Sequence, residues 1–238
     1  MFINRRGKKT VMSSRIKTPL IAINFKTYAS ATGAKGVALA KICQSVAKQK
    51  RASIIISVQT PDIYRVSSKV KIPVFAEHVD GVEFGAHTGK VLAQSIKEDG
   101  AIGTLLNHSE DQYSWKELVA AVERCKEAKL NIIICADTIA KAKRVATLKP
   151  DFVAYEPPEL IGGDVSVTTR PQAIVKVVRA IRSVNKTVGI LVGAGVKTGE
   201  DVRIAIKLKT QGVLLASGVA ASKNPKAALI NLCAGLRK

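Results

Sequence analysis

The sequence contains eight short apolar runs, rich in β-branched residues, that alternate with longer segments of helical spacing. The runs are Leu20–Ile23, Ser53–Val58, Ile72–Phe75, Ala101–Leu106, Ile132–Cys135, Phe152–Ala154, Val188–Val192 and Gly212–Leu215. Nearly continuous apolar runs are typical of parallel strands covered by helices. Eight strand–helix units in about 220 residues predict an α/β fold, a single compact (β/α)8 barrel. An open doubly wound sheet is the alternative, but no G-x-G-x-x-G follows the first run.

Residues with helix-starting chemistry lie between these runs. Ser114 and Glu117 have the spacing of a capping box, in which each side chain bonds a backbone N–H group at a helix start. Further helix starts are predicted at Thr60-Pro61, Thr198-Gly199-Glu200-Asp201 and Asn224-Pro225, and Gly100 suits a helix end. Helices therefore separate the predicted strands, as a barrel requires.

The first 17 residues differ from the rest of the chain in charge and pattern. They are basic and aperiodic, and they contain no apolar segment of the kind found in secretory signals. We therefore expect a disordered basic tail over residues 1–17 and one barrel domain over residues 18–238. An organelle-targeting segment and a true start at Met12 are the alternatives.

The chain is strongly basic, with 38 Lys and Arg against 18 Asp and Glu, a net charge of +20. No acidic residue precedes Asp62. Such a charge attracts anions, including nucleic acids and phosphorylated metabolites, although a solvated basic surface is the simpler interpretation. The basic residues are spread along the sequence, and few polar aromatic residues such as Tyr28, Tyr64, Tyr113 and Trp115 are available for stacking. Nucleic-acid binding is therefore not expected.

Four cysteines occur, at positions 43, 125, 135 and 233. They form no Cys-x-x-Cys pair and no Cys/His cluster at metal-ligand spacing, so no metal site is expected. Cys125 and Cys135 lie in apolar periodic segments, where a buried reduced thiol is the default, and this indicates a reducing cytoplasm. No apolar run approaches the roughly 18 residues that span a bilayer, so we expect no membrane partner.

Polar residues occur directly after the predicted strands, and barrels of this kind have their active sites at the C-terminal ends of the strands. Asn24 and Lys26 follow the first strand on the same side of the chain, and a lysine there needs an anionic partner unless it extends to solvent. His108 follows the fourth strand. If a helix starts there, its positive dipole end favours a neutral imidazole, although a packed structural histidine is an equal alternative. The other two histidines, His78 and His87, have no comparable setting.

Glu156 ends the sixth strand and is followed by two prolines and a long glycine-containing loop. Rigid ends and a flexible middle are what a moving lid needs. Glu159 is an alternative general base but lies further from the strand end. Small residues follow the seventh and eighth strands, in Gly193-Ala194-Gly195 and Ala216-Ser217-Gly218. Either motif alone is an ordinary turn, but together they indicate a phosphate site built from backbone N–H groups.

These segments resemble the triosephosphate isomerase family. Asn24-Phe25-Lys26 is similar to its N-x-K segment, Asn107-His108-Ser109-Glu110 to its [GN]-H-S-E segment, and Tyr155-Glu156-Pro157 to its A-Y-E-P signature. Leu160-Ile161-Gly162 is similar to the lid of that family. The segments agree in order and spacing over residues 18–238, and the short chain resembles the archaeal branch.

The resemblance implies a cofactor-free isomerase that interconverts dihydroxyacetone phosphate and glyceraldehyde 3-phosphate. It implies that Glu156 is the base, His108 a neutral electrophile and Lys26 an electrostatic stabiliser beside Asn24, with Glu110 in a supporting role. The phosphate-binding residues that it implies are Ile161, Gly162, Gly195, Ala216 and Ser217, besides Asn24 and Lys26. It also implies a cytoplasmic homo-oligomer, with a tetramer favoured and a dimer possible.

The sequence departs from the family pattern in two loops. Gly162-Gly163-Asp164 stands where most members have Gly-Thr-Gly, so the Asp164 carboxylate is expected to point away from a phosphate. Gly193-Ala194-Gly195 stands where bacterial-type members have Gly-Gly-Ser. Two other functions remain open at this point: another phosphate-binding barrel enzyme, and a nucleic-acid-binding protein on a barrel scaffold.

Overall fold

The computed structural model describes residues 16–158 and 166–236, which form a closed barrel of eight parallel strands in sequence order. The strands are β1 (Leu20–Asn24), β2 (Ser53–Val58), β3 (Val74–Ala76), β4 (Gly103–Leu106), β5 (Asn131–Ala136), β6 (Phe152–Tyr155), β7 (Gly189–Val192) and β8 (Gly212–Leu215). Pairing of β1 with both β2 and β8 closes the sheet. The predicted (β/α)8 barrel is therefore confirmed.

Helices follow the strands and cover the outside of the barrel. They are α1 (Gly33–Lys50), α2 (Ile63–Ser67), α3 (Ala93–Glu98), α4 (Trp115–Glu127), α5 (Ile139–Ala146), α6 (Pro171–Arg182), α7 (Gly199–Lys207), α8 (Ser217–Ala220) and α9 (Pro225–Ala234). Ser114 and Glu117 form the predicted capping box at α4, and Thr198 and Asp201 form a second one at α7.

The other predicted helix boundaries are mostly confirmed. Asn224 caps α9 by accepting a hydrogen bond from the backbone of Ala227, and Gly100 follows α3 with φ of 95°. Thr60 is different, because it begins a short 3-10 turn that precedes α2, and the residue in the cap position is Gln59. The proline after Thr60 still lies within the first two positions of the turn, where its fixed φ is favourable.

Two predicted strands, β2 and β8, have the observed boundaries, and the others differ by one or two residues. The largest shifts are of two residues. One is at β4, which begins at Gly103 and not at Ala101, and the other is at β3, which begins at Val74 and not at Ile72. Pro73 lies between them and has no N–H group to donate to the sheet, which explains the later start.

Apolar side chains form two layers of core, one inside the barrel and one between the strands and the helices. Large rings fill the interior beside glycines of the neighbouring strand. A Cβ atom at Gly103 would lie 2.5 Å from the Phe75 ring, and one at Gly189 would lie 2.2 Å from the Phe152 ring. Because these rings fill the barrel interior, it is a packed core, and a functional site must lie at one end of the barrel.

The parallel strands give the barrel two distinct faces. We call the end where the strands finish the top face and the end where they begin the bottom face. Ile16 packs against the interior core at the bottom face, four residues before β1 begins. Residues 1–15 of the predicted tail lie outside the described residues, so its disorder and the boundary at residue 17 stay predictions.

Candidate active site

The structure brings the side chains of Glu156 and His108 together at the centre of the top face. His108 follows β4 and Glu156 follows β6, and their atoms Nε2 and Oε2 are 3.9 Å apart. Both residues are buried, with 8 % and 6 % of their surface exposed. A carboxylate and an imidazole at this separation can act on neighbouring atoms of one small ligand.

Burial raises the pKa of Glu156 from 4.5 to about 7, and a hydrogen bond from the Cys135 thiol and the charge of Lys26 limit the rise. Its Oε2 atom has no hydrogen-bond partner among the described residues. A carboxylate with a pKa near neutrality and one oxygen left without a donor is suited to accept a proton from a substrate.

Gly193 leaves the space that this carboxylate occupies. A Cβ atom there would lie 2.5 Å from Glu156 Oε1, 2.8 Å from its Cγ and 2.7 Å from the carbonyl oxygen of Leu214. The sequence interpretation assigned this glycine to a phosphate loop only. It also missed Cys135, which was correctly predicted to be a buried thiol but also contacts the carboxylate.

His108 is held as a neutral ring by its surroundings. Burial and the positive charge of Lys26 lower its pKa, against the charges of Glu110 and Asp111. The backbone N–H of Glu110 donates to His108 Nδ1 at 3.2 Å, so the ring proton lies on Nε2, which faces Glu156. The predicted helix dipole is wrong, because α4 begins only at Trp115; burial depresses the pKa instead.

Lys26 and Asn24 extend the site from the end of β1. The Asn24 side chain accepts a hydrogen bond from the backbone N–H of Lys26 at 3.0 Å, and Lys26 has a left-handed backbone with φ of 47°. Lys26 Nζ lies 2.5 Å from Glu110 Oε1. This ion pair fixes a cation beside His108, and Glu110 contacts both groups of the site.

Glu77, directly after β3, is a site residue that the sequence interpretation missed. Burial raises its pKa from 4.5 to about 7, although the backbone amide and the charge of Lys26 oppose this. Its Oε1 atom is buried without a hydrogen-bond partner among the described residues. Glu77 directly follows β3, and its position in the sequence was therefore a usable signal for a residue at the top face.

His78, the residue after Glu77, also has a defined setting, contrary to the sequence interpretation. Its Nδ1 atom lies 2.6 Å from the Asp111 carboxylate, and its Nε2 lies 3.3 Å from that of Asp80. The ring stacks on Tyr113, with centroids 5.1 Å apart. These contacts join the loops after β3 and β4 beside the site.

The small residues after β7 and β8 line the same cavity as the charged groups. This cavity, of about 50 Å³, is bordered by Lys26, His108, Glu156, Gly195, Ala216 and Ser217. Ala194 and Gly195 have φ of 71° and 69°, which turns the chain sharply after β7. Ser217 begins α8, whose first N–H groups have no acceptor within the helix and can bind an anion.

The predicted lid lies largely outside the described residues, including Ile161, Gly162, Gly163, Asp164 and the alternative base Glu159. Its two flanks are described. Glu156 donates its backbone N–H to Ala136, and Val167 donates to the carbonyl of Ala194. After the gap, Thr168 donates to Asp201 at 2.5 Å, and Asp201 is also bonded to the backbone of Lys197. Both flanks are therefore fixed to the barrel.

Neither a metal centre nor a membrane span is found in the part of the chain that the structure describes. Residues 16–158 and 166–236 contain no group of three His, Cys, Asp or Glu side chains able to hold a metal ion. No helix within these residues is long and apolar enough to cross a bilayer.

Fold and site together define a closed (β/α)8 barrel with a buried carboxylate and a buried imidazole side by side at its top face. The sequence profile of the triosephosphate isomerase family matches residues 19–234. The chain belongs to the triosephosphate isomerase family, whose members are aldose–ketose isomerases acting on triose phosphates.

Related proteins agree with this assignment over nearly the whole chain. The chain is 43 % identical to the triosephosphate isomerase of Methanobacterium bryantii over 217 residues, which are 91 % of this chain and 96 % of that protein. It is 44 % identical to that of Methanosarcina acetivorans over 216 residues, 90 % and 97 % of the two chains. The predicted similarity to archaeal members is confirmed, and neither alternative function is favoured.

A solved structure supports the fold alone. The crystal structure of triosephosphate isomerase from Bartonella henselae superimposes with a TM-score of 0.67 at 19 % identity, covering 89 % of this chain and 98 % of that one.

Proposed function

We propose that Glu156 is the base that moves a proton between C1 and C2 of the triose phosphate. The observation that carries this proposal is the 3.9 Å separation of Glu156 Oε2 and His108 Nε2 in a buried cavity. Oε2 takes the proton from C1 of dihydroxyacetone phosphate and returns it to C2, which gives glyceraldehyde 3-phosphate. Its raised pKa makes both directions of transfer accessible near neutral pH.

The carbonyl oxygen gains negative charge as that proton leaves. The Nε2–H of neutral His108 donates to this oxygen, and the Lys26 cation stabilises the charge electrostatically. Preorganised donors of this kind each contribute about 3 kcal/mol to barrier lowering. His108 then exchanges protons between the oxygens on C1 and C2, which converts one enediol form into the other. A glutamate base with a neutral histidine in this enzyme is a standard example of pKa tuning and is not a new principle.

The phosphate group is assigned to the loops after β7 and β8. Backbone N–H groups at Gly195, Ala216 and Ser217 border the cavity that contains Lys26 and Glu156. Ile161 and Gly162 are assigned to the lid side of the phosphate. Lid closure excludes water and retains the enediol, which otherwise loses phosphate.

The proposal is tested by a coupled isomerase assay on the full chain and on Glu156→Gln. We expect triose phosphate turnover by the wild type and at least a hundredfold lower kcat in the variant, because the amide cannot accept the proton. Glu127→Gln is the matched control, since Glu127 is an exposed carboxylate at the end of α4. Retained kcat in Glu156→Gln, or an equal loss in the control, would refute the assignment of the base.

We also propose that the enzyme is a cytoplasmic homo-oligomer, with a tetramer favoured over a dimer. Phe84 supports self-association, because 75 % of its surface is exposed on the loop between β3 and α3. The four buried cysteine thiols support a reducing compartment. Light scattering of the purified chain measures the oligomer, and a monomer that remains so at micromolar concentration would contradict it.

A further inference from the structure

The basic residues that are dispersed in the sequence lie together at the bottom face. Seven of the eight segments that precede a strand contain exposed Lys or Arg, against two carboxylates, Asp99 and Asp151. These cations are Lys17, Arg51, Lys69, Lys71, Lys129, Lys149, Lys186 and Lys209. Because the strands are parallel, all of these segments lie at one end of the barrel.

The top face has the opposite balance of charge. Among the described residues, the segments that follow strands contain eight carboxylates and four cations. The carboxylates are Asp62, Glu77, Asp80, Glu83, Glu110, Asp111, Asp137 and Glu156, and the cations are Lys26, Lys90, Arg170 and Lys197. The excess positive charge of these loops is therefore confined to the bottom face.

Stabilisation of helix ends does not account for this arrangement. Cations near helix C-termini interact favourably with the helix dipole, and last-turn residues such as Lys48, Lys126 and Lys207 already supply them. Four more cations follow in left-handed backbone conformations that cost about 1 kcal/mol and that glycine usually adopts. They are Arg51, Lys129, Lys149 and Lys209, with φ between 50° and 70°.

The bottom face also has the shape of a binding surface. Two open clefts of about 1010 and 760 Å³ adjoin there, since Ile16 and Thr18 line both of them. The smaller cleft is lined by Lys17, Lys48, Lys50, Arg51 and Lys71, and no carboxylate occurs among its described lining residues.

We propose that the bottom face binds nucleic acid through its phosphate backbone, without reading sequence. Lysine and arginine side chains on a broad open surface match a polyanion, and contacts to phosphate carry no base information. A lipid surface fits less well, because Val184 is the one exposed large apolar residue in the segments of this face among those described. The proposal reverses the expectation from sequence, where the clustering of charge was not visible.

The proposal is tested with a labelled single-stranded RNA of about 20 nucleotides and mixed sequence, by fluorescence anisotropy over a series of salt concentrations. The test variant combines Arg51→Gly, Lys129→Gly, Lys149→Gly and Lys209→Gly. It removes four charges and places glycine at four positions with left-handed backbone conformations. The control variant combines Lys41→Gln, Lys116→Gln, Lys176→Gln and Lys226→Gln, which removes four exposed charges from helix middles and first turns.

We expect the wild type to bind with a steep salt dependence. The test variant should bind about tenfold more weakly at about 50 mM salt, with a shallower slope, and the control variant within about threefold of wild type. Isomerase activity should be unchanged in both, which shows that they are folded. Equal weakening of both variants, no RNA binding by the wild type, or preference for vesicles with anionic lipid over RNA would overturn the proposal.

Discussion

The two faces of this barrel are built from the same kind of segment, a short connection between a strand and a helix, yet they differ in charge and burial. At the top face, a buried carboxylate and a buried imidazole line a small cavity. At the bottom face, exposed cations border two open clefts. A single charge interacts strongly with its neighbours where the protein shields it from water and fixes its orientation. Solvated charges interact weakly one by one, so they act only as a group.

The sharpest test of this contrast removes one positive charge from each face. Lys26→Met should lower kcat/KM by about a hundredfold or more, because the role proposed for Lys26 is to stabilise developing charge in a water-poor cavity. Lys149→Met should leave kcat/KM within twofold, since Lys149 is exposed at the bottom face. Both values come from the coupled assay. Comparable losses in the two variants would show that net charge, and not position, governs the reaction.

A second test concerns the buried carboxylates, which have no equivalent at the bottom face. The pKa of Glu77 is raised to about 7 in the fold, so its contribution to stability is present below pH 4.5 and is lost as the pH rises through 7. Glu77→Gln should therefore raise the free energy of unfolding more at pH 8 than at pH 5. The difference between the two effects should be on the order of 2 kcal/mol. Urea unfolding at both pH values measures this.

The matched control for that test is Glu127→Gln, which removes an exposed carboxylate at the end of α4. It should change stability little and equally at both pH values. If Glu77→Gln gave the same difference from wild type at pH 5 and pH 8, the buried carboxyl would not be titrating in this range.

The smallest expected effect is on the backbone of the bottom face. Arg51→Gly should stabilise the fold by up to about 1 kcal/mol, which raises Tm by about 2–4 °C, because glycine adopts φ of 50° without strain. Lys176→Gly, in the middle of α6, should lower stability by a similar amount. Thermal unfolding followed by circular dichroism compares them. A lower Tm for Arg51→Gly would show that its side chain stabilises the fold.

The architecture was predictable because buried parallel strands leave an unmistakable pattern of continuous apolar runs. The boundaries of β2 and β8 agreed in full, whereas β3 began late at Pro73. The main site residues were also predictable. Asn24 ends β1, Lys26, His108 and Glu156 follow strands, and a barrel gathers strand ends at one face.

Features that depend on side-chain packing were not predictable. The neutral state of His108 was expected, but its cause was not, because burial and the Glu110 amide act on the ring and no helix starts there. The contact of Cys135 with Glu156 joins neighbouring strands and has no trace in local sequence. The separation of charge between the faces was hidden as well, because the connections of both ends alternate along the chain.

The missing side chain at Gly193 limits how this enzyme can be redesigned. The peptide after β7 lies so near Glu156 that an added methyl group would meet both the carboxylate and the Leu214 carbonyl. A larger substrate therefore cannot be admitted by remodelling that wall, and a side chain introduced there would displace the Glu156 carboxylate. Variants with altered substrate range should be sought among the loops on the other side of the cavity, beyond Lys26 and Tyr28.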